Sequence, residues 1–236
     1  MRTVQALWRY PVKSMQGEQL DAASIGPRGI VGDRVWAIVD QETGLSLTAR
    51  RAPDLLFARA ALVDDAVRIT LPDGSVAADD GALSAWLGRP VALTRATDTS
   101  SGTYEIALDF EHEDRAEWTQ WSGPTGTFHD STRTQVSIVG ADTVGDWDMR
   151  RFRPNVVIDG TGEDDWMGAT LRLGDAVVEV SKQIDRCVIT TRPQPGDIER
   201  DLDVLRTINR GTGTLGIGTL VRTPGIVRVG DVVTPI

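Results

Sequence analysis

The sequence predicts a mainly β fold with a few short helices, of the barrel or sandwich type. Short runs rich in β-branched and aromatic residues alternate with turn residues roughly every 8 to 12 positions. This spacing favours a barrel or a sandwich over alternating βαβ units. With 236 residues, the chain can form one large domain or two smaller ones packed together.

The first half of the chain reads as strands joined by turns. Pro11 ends the first strand and places Lys13 and Ser14 on a loop, while Arg34 falls near the start of the third strand. Between 98 and 134 the pattern dissolves into small polar and acidic residues, which predicts a linker or a long active-site loop. We predict strands over 3–9, 18–26, 32–40, 57–63, 66–71 and 90–95, and short helices over 50–55 and 81–87.

The second half resumes the strand pattern and adds one amphipathic helix. Leu202, Leu205 and Ile208 recur at helical spacing, with Asp197 as the predicted N-cap and Gly211 beyond the end, so the helix is expected over about 198–209. We predict strands over 135–139, 156–158, 169–173, 175–180, 216–222 and 226–234, and a short helix over 141–149.

Composition excludes several classes of protein. The formal net charge of −9 argues against a general nucleic-acid binder, because such affinity depends on Lys and Arg neutralising phosphates. A single cysteine cannot form an internal disulfide or a cysteine zinc cluster. The sequence has no run of eighteen apolar residues, no secretory signal pattern and no Walker A or GxGxxG motif. We therefore expect a cytoplasmic protein that binds neither nucleic acid nor membranes.

Cys187 is the clearest chemical candidate in the chain. Arg186 precedes it, and a neighbouring guanidinium favours the thiolate that acts as a nucleophile or a metal ligand. Free cysteine is also commonly a small buried hydrophobe, and a pairing with His129 as a nucleophile and base remains open. Neither His112 nor His129 lies in a metal-binding spacing.

Basic and small polar residues recur at the predicted turns. Guanidinium forks suit phosphate, while a lysine adds a point charge and a serine a hydroxyl donor. They form an anion site only if the fold brings them together. The candidates are Lys13, Ser14, Arg34, Arg153, Asn155 and Arg186.

An ordered set of motifs resembles the MOSC family. More closely, the chain is similar to the members with an N-terminal β-barrel domain, the group that includes the mitochondrial amidoxime reducing component and its bacterial relatives. The resemblance runs in order over nearly the whole chain. The motifs are Tyr10-Pro11-Val12-Lys13-Ser14, Gly32-Asp33-Arg34-Val35-Trp36, Thr48-x-Arg50-x-x-Pro53-x-Leu55, Arg151-Phe152-Arg153-Pro154-Asn155, Glu163-Asp164-x-Trp166 and Arg186-Cys187-x-x-Thr190-Thr191.

The resemblance implies two packed β-barrel-like units with a molybdenum cofactor, Mo-molybdopterin, held between them. The implied division is an N-terminal MOSC barrel domain over 1–97, the linker or loop over 98–134, and a MOSC domain over 135–236. Cys187 would be the protein ligand to molybdenum, a soft thiolate for a thiophilic metal. Lys13, Ser14, Arg34, Arg153, Asn155 and Arg186 would contact the pterin and its phosphate, and Thr190 or Thr191 would donate to the thiolate.

The implied activity is reduction of N-hydroxylated compounds, hydroxylamines and amidoximes, by oxygen-atom transfer to molybdenum. The sequence has no flavin-type nucleotide motif and too few cysteines for an iron–sulfur cluster, so a separate electron-donor reductase or carrier protein is expected. The alternative is a non-catalytic module that carries molybdenum cofactor or sulfur, since MOSC domains also occur in cofactor-sulfurating proteins. The family also has a general association with pyridoxal phosphate binding.

Overall fold

The computed structural model describes residues 1–236 and contains seventeen strands, two α-helices and five 3₁₀ helices. The strands are β1 (Arg2–Arg9), β2 (Glu18–Leu20), β3 (Ala22–Gly26), β4 (Gly29–Ile30), β5 (Trp36–Asp40), β6 (Arg59–Val63), β7 (Ala66–Thr70), β8 (Val91–Arg95), β9 (Ser101–Ala107), β10 (Trp118–Thr125), β11 (Val136–Gly140), β12 (Val156–Ile158), β13 (Thr170–Leu173), β14 (Ala176–Asp185), β15 (Thr214–Thr223), β16 (Gly225–Arg228) and β17 (Val232–Pro235). The α-helices are α1 (Asp80–Leu87) and α2 (Asp203–Arg210). The 3₁₀ helices are Pro53–Phe57, Ala141–Val144, Met149–Arg151, Glu163–Trp166 and Val188–Thr191. Neither α-helix has the length and apolar character needed to cross a bilayer. The predicted fold class, mainly β with a few short helices, is confirmed.

The larger unit is a closed barrel. Its strands follow the order β12, β11, β15, β14, β13, β17 and β1, and β1 pairs with β12 to close the ring. All neighbours are antiparallel except β11 and β12, which run parallel. Inward-facing residues such as Leu7, Ile138, Leu171, Val178 and Ile217 are fully buried, so a barrel of this size is filled by side chains.

The barrel takes one of its strands from the N-terminal stretch of the chain. Leu7 in β1 lies opposite Val156 in β12, and Arg2 lies opposite Val233 in β17. Strand β3 pairs with β16 on one side and with β4 on the other, and Ile25 joins the same buried core. Within the predicted N-terminal domain, 1–97, Val4, Leu7, Ala23, Ile25 and Ile30 thus contribute to the core of the larger unit, while the boundary of that domain stays a prediction.

The smaller unit is built from short two-stranded sheets and α1. Strand β5 pairs with β8, and β6 pairs with β7. The core between them contains Val12, Met15, Ile38, Leu55 and Leu83. Asp79 caps α1 through its side chain, and Gly88 ends it in the left-handed conformation, so both ends of this helix follow the usual sequence signals.

The segment 98–134 contains a β-hairpin instead of an unstructured linker. Strands β9 and β10 pair from Ala107 opposite Trp118 to Ser101 opposite Thr125. The hairpin is anchored by Tyr104, which is fully buried. Thr, Ser and Gln alternate with the aromatic residues in these strands, so the apolar run that marks a buried strand is absent and the sequence pattern missed them.

The C-terminal helix is shorter than predicted. It begins at Asp203 instead of 198, and Asp197 adopts a positive φ of 63° outside the helix. Leu205 and Ile208 face the core as expected, and Gly211 follows the last turn. The predicted helix over 141–149 is reduced to a 3₁₀ turn at Ala141–Val144.

Candidate active site

One cleft of about 480 Å³ collects the residues that the sequence singled out. This volume lies within the usual range for small-molecule sites, roughly 300–1,000 Å³. Residues of the loop after β1 meet residues of the barrel across it. Lys13, Ser14, Arg34, Arg153, Asn155, Arg186 and Cys187 all line the cleft.

Three of the lining residues have left-handed backbone conformations. Ser14 has φ 68°, and Arg34 and Arg153 both have φ 51°. This conformation costs a residue other than glycine roughly 1–2 kcal/mol. Strained backbone of this kind concentrates at functional sites, where the surrounding structure holds it in place. The cleft therefore stands out by its backbone as well as by its side chains.

Cys187 sits between the end of β14 and the 3₁₀ turn Val188–Thr191. Its thiol is free and partly exposed. The Thr190 hydroxyl donates to the Cys187 carbonyl at 2.9 Å, and the Thr191 hydroxyl donates to the Val188 carbonyl at 2.8 Å. Both hydroxyls are thus used within their own turn, and a donation from either of them to the thiolate stays a prediction.

Arg151 fixes the turn that carries Cys187 by hydrogen bonds to backbone carbonyls. Its guanidinium is buried and donates to the carbonyls of Thr190 at 3.2 Å and Glu199 at 2.8 Å. A guanidinium fork bonded to two chain segments fixes their separation. The position of Cys187 is therefore set by a residue of the motif around Arg153.

Arg50 is a site residue that the sequence reasoning did not select. It is 8% exposed, lines the cleft, and has no hydrogen-bond acceptor for Nε or Nη1. Burial acts to lower the pKa of Arg50, but the neighbouring Cys187 and the Asp130 carboxylate outweigh it and raise the pKa above its usual value. Leaving a buried charged donor without an acceptor costs at least about 1–3 kcal/mol. Arg50 was within reach of the sequence, because it lies in the motif from Thr48 to Leu55.

Arg34 and Arg153 form a second basic group around Tyr10. Their guanidinium carbons lie 4.9 and 4.4 Å from the centre of the Tyr10 ring. Arg34 is paired with the Asp33 carboxylate and also donates to the Arg153 carbonyl at 3.3 Å. Arg153 Nη2 has no acceptor, and burial lowers the pKa of this guanidinium to about 10. Arg153 thus keeps a free donor in the cleft.

Lys13 has its ammonium group fully engaged by the protein. Nζ donates to the Phe128 carbonyl at 2.8 Å and to Asp130 at 2.7 Å, and it lies 4.2 Å from the centre of the Tyr104 ring. Burial lowers the pKa of Lys13 to about 8, although Asp130 opposes the shift. The three N–H donors of an ammonium are accounted for in this way. In this structure Lys13 positions the segment 128–130.

Asn155 and Arg186 are also largely committed to protein partners. The Asn155 carboxamide oxygen accepts from the Ser137 amide and hydroxyl, and its Nδ2 donates to the Trp8 carbonyl at 3.3 Å. Arg186 donates to the carbonyls of Leu215 and Phe152. These two residues tie barrel strands together beside the cleft, and their part in ligand binding stays a prediction. Ser14 similarly accepts from the Ala49 amide at 3.0 Å.

His129 faces Asp33 in the wall of the cleft. The distance from His129 Nε2 to Asp33 Oδ2 is 3.7 Å, too long for a hydrogen bond. Burial of the imidazole lowers the pKa of His129 to about 4, so the ring is neutral at neutral pH. Cys187 and His129 line the same cleft, but no hydrogen bond joins them as a nucleophile and its base.

Comparison with known families covers both halves of the chain. Residues 1–118 match the MOSC N-terminal β-barrel domain, and residues 124–234 match the MOSC domain. The cleft residues come from both matched regions. The free cysteine at Cys187 and the free donor of Arg153 belong to the second one.

Two named relatives and one solved structure are similar to this chain. Mitochondrial amidoxime-reducing component 1 of Homo sapiens is 28% identical over 97% of this chain and 81% of its own length. Molybdenum cofactor sulfurase of Drosophila grimshawi is 26% identical over 85% of this chain, which spans only 29% of that protein. The crystal structure of the YUAD protein from Bacillus subtilis is 14% identical, with a TM-score of 0.47 over 98% of this chain and 93% of that one. The chain belongs to the MOSC family, with an N-terminal MOSC β-barrel domain followed by a MOSC domain.

Proposed function

We propose that the protein is a molybdenum-cofactor-dependent reductase of small N-hydroxylated compounds. The observation that carries the proposal is the meeting of a free thiol, Cys187, with unpartnered buried guanidinium donors in one cleft. A relative named for amidoxime reduction aligns with nearly the whole chain and supports the proposed substrate class.

The donor set in the cleft fits a molybdenum cofactor. Cys187 supplies the soft thiolate that a thiophilic metal prefers. Arg153 keeps an unpartnered Nη2 beside Arg34, and guanidinium pairs of this kind suit a terminal phosphate. We assign Cys187 to the metal end of the ligand and the group of Arg34, Arg153 and Tyr10 to its phosphate end. An acidic chain can bind such an anion because these positive charges are concentrated in one place.

When bound, the cofactor supplies the two-electron redox chemistry that removes the hydroxyl oxygen of the substrate. The chain's own residues bind and orient the reactants. Arg151 fixes the turn that carries Cys187, and the apolar side chains of Ile106, Trp121 and Ile189 cover part of the cleft wall. An apolar wall excludes water and strengthens the interactions made by the charged groups within it.

Electrons would come from a separate reductase or electron-carrier protein. An iron–sulfur cluster needs several thiolates, and the chain has one cysteine. Cys187 is already assigned to molybdenum in this proposal. A second protein is therefore part of the proposed reaction.

A carrier role is the second candidate, because molybdenum cofactor sulfurase aligns with 85% of the chain. In that case Cys187 would hold cofactor or sulfur for delivery to another protein, with no turnover. The two functions differ in whether the loaded protein accepts electrons from an artificial donor.

One experiment separates these functions. The protein is produced in a host that makes molybdenum cofactor, molybdenum is measured per chain, and reduction of benzamidoxime by reduced viologen is followed. Stoichiometric metal with turnover, both lost in Cys187→Ala, supports the reductase. Metal without turnover, together with release of cofactor to an apo-enzyme, supports the carrier. Absence of molybdenum from the wild-type protein would refute the reductase and the cofactor carrier.

A further inference from the structure

Arg50 has more donors than its known neighbours can accept. Nε and Nη1 are both buried without an acceptor, and their hydrogens point from different edges of the planar guanidinium. The Cys187 sulfur can therefore accept from one of them but not from both. The chain supplies no acceptor for the other donor, which is therefore available to a bound ligand.

The proposed placement of the cofactor does not assign an acceptor to Arg50. Arg153, which also keeps a free donor, lies with Arg34 around Tyr10 and is assigned to the phosphate. Arg50 instead lies beside Cys187, at the end where the substrate reacts. A ligand atom that reaches Arg50 is thus close to the reacting group of the substrate.

The apolar residues that line this cleft indicate which substituent the substrate carries. Ile106, Trp121, Ile184 and Ile189 line it with apolar surface, which suits an aromatic or alkyl substituent. Trp121 also packs against Tyr104, with ring centres 4.6 Å apart, so this wall is held in place by the hairpin β9–β10. The cleft therefore combines an apolar wall with the buried Arg50 guanidinium, which lacks hydrogen-bond acceptors.

We propose that Arg50 is a specificity-determining residue that donates to the acyl oxygen of an N-hydroxylated amide. The preferred substrates are then hydroxamic acids with an apolar substituent, and hydroxylamines without an acyl oxygen are poorer ligands. This inference rests on the proposed reductase function. A site with a buried polar group discriminates strongly against a ligand that leaves the group unpaired.

A matched pair of ligands tests the proposal. Benzhydroxamic acid and phenylhydroxylamine share the aromatic ring and the N–OH group, but only the first has an acyl oxygen. Their binding to the purified full-length protein is measured anaerobically by calorimetry, with molybdenum content determined on the same samples. The variants are Arg50→Met, which removes the charge, and Arg50→Lys, which keeps it without the fork. Arg51→Met is the control, because Arg51 pairs with Glu105 and does not line the cleft.

Wild-type protein and Arg51→Met should bind benzhydroxamic acid roughly 10- to 100-fold more tightly than phenylhydroxylamine. Arg50→Met should lose this preference and Arg50→Lys should retain a small part of it, with molybdenum content unchanged. A preference that survives in Arg50→Met would overturn the proposal, and so would loss of both molybdenum and the preference in that variant, because Arg50 would then act through the cofactor. If the wild-type protein contains no molybdenum, the reductase function is refuted. The Arg50 proposal is still tested in that case, because ligand binding is measured on the same protein.

Discussion

Lys13 Nζ lies 2.7 Å from Asp130 Oδ1 and joins two segments of the chain that are 117 residues apart in sequence. The ammonium is buried, whereas the Asp130 side chain is 57% exposed. Burial acts to raise the pKa of Asp130, but Lys13 and Arg50 outweigh it and hold this pKa well below its usual range. The pair therefore remains ionised at neutral pH and fixes the wall of the cleft.

Removing either partner of this pair should destabilise the protein. We expect a coupling energy of about 1–2 kcal/mol between Lys13→Met and Asp130→Asn, below the figure for a fully buried pair because Asp130 is half exposed. Urea unfolding of the wild type, the two single variants and the double variant measures it. Strictly additive effects would show that the two charges do not interact.

His129 should make stability sensitive to acid. Its folded pKa of about 4 lies below the unfolded value of 6.5, so the unfolded state binds the extra proton as pH falls between them. The free energy of unfolding is not reduced by His129 above pH 6.5, and it falls as the pH drops towards 4. The expected loss is about 2–3 kcal/mol at pH 4.5. Urea unfolding at pH 7 and 4.5 should show this loss in the wild type and not in His129→Gln. Asp130 titrates below this window.

Arg153 is expected to retain the cofactor through its free Nη2. The informative change is Arg153→Asn, because asparagine tolerates the left-handed conformation at φ 51° and removes the guanidinium without adding backbone strain. We expect molybdenum content after gel filtration to fall severalfold while the unfolding free energy changes by less than about 1 kcal/mol. Arg68→Asn, on strand β7 of the smaller unit, is the control. Unchanged molybdenum content in Arg153→Asn would contradict the assignment.

The barrel should depend on β1 for closure. A fragment of residues 124–236 lacks this strand, so β12 and β17 would each lose a partner and Leu7 would leave a gap in the core. We expect the fragment to lack a cooperative thermal transition and a peptide of residues 1–30 to restore one. The full-length variant Leu7→Ala should lose about 2–5 kcal/mol of stability. Cooperative unfolding of the fragment alone would refute the dependence.

The hairpin β9–β10 should be held over the Cys187 turn mainly by the more buried of its two ion pairs to the second half of the chain. Arg192 pairs with Glu113, and both side chains are mostly buried at 15% and 14% exposure. In Glu113→Gln, amide hydrogen exchange over 108–117 should become roughly tenfold faster, since a partly buried pair contributes about 1 kcal/mol or more. Glu111→Gln, which breaks a more exposed pair with Arg206, should have a smaller effect. Equal exchange in both variants would argue against the buried pair.

Local pattern was enough to predict most strands and the loop that carries Lys13 and Ser14. Pro11 and the glycine turns mark the ends of strands, because these residue types restrict or permit particular backbone conformations. The role of β1 was not predictable in this way, because Leu7 and Val156 meet through a pairing of distant segments. Strands β9 and β10 were missed for a different reason, since their stability comes from Tyr104 and Phe128 at the base of the hairpin.

The site residues were predictable as a set but their individual contacts were not. The motifs placed Lys13, Arg153 and Cys187 on loops, and the fold brings those loops to one cleft. Which donors stay free depends on neighbouring carbonyls, such as Phe128 for Lys13 and Leu215 for Arg186. Arg50 differs from these residues, because the structure singles it out by the lack of hydrogen-bond acceptors around its guanidinium.

The closure of the barrel by β1 also orders events on the ribosome. Strand β1 emerges well before β12 and β17, the two strands that flank it in the closed ring. At about 5–20 residues per second, the roughly 150 residues that separate β1 from β12 take on the order of ten seconds to synthesise. During that interval Leu7 and Val4 have no barrel to enter, and β1 can pair with β2 but lacks both of its barrel neighbours. A chaperone that binds short apolar segments would have its best opportunity at β1.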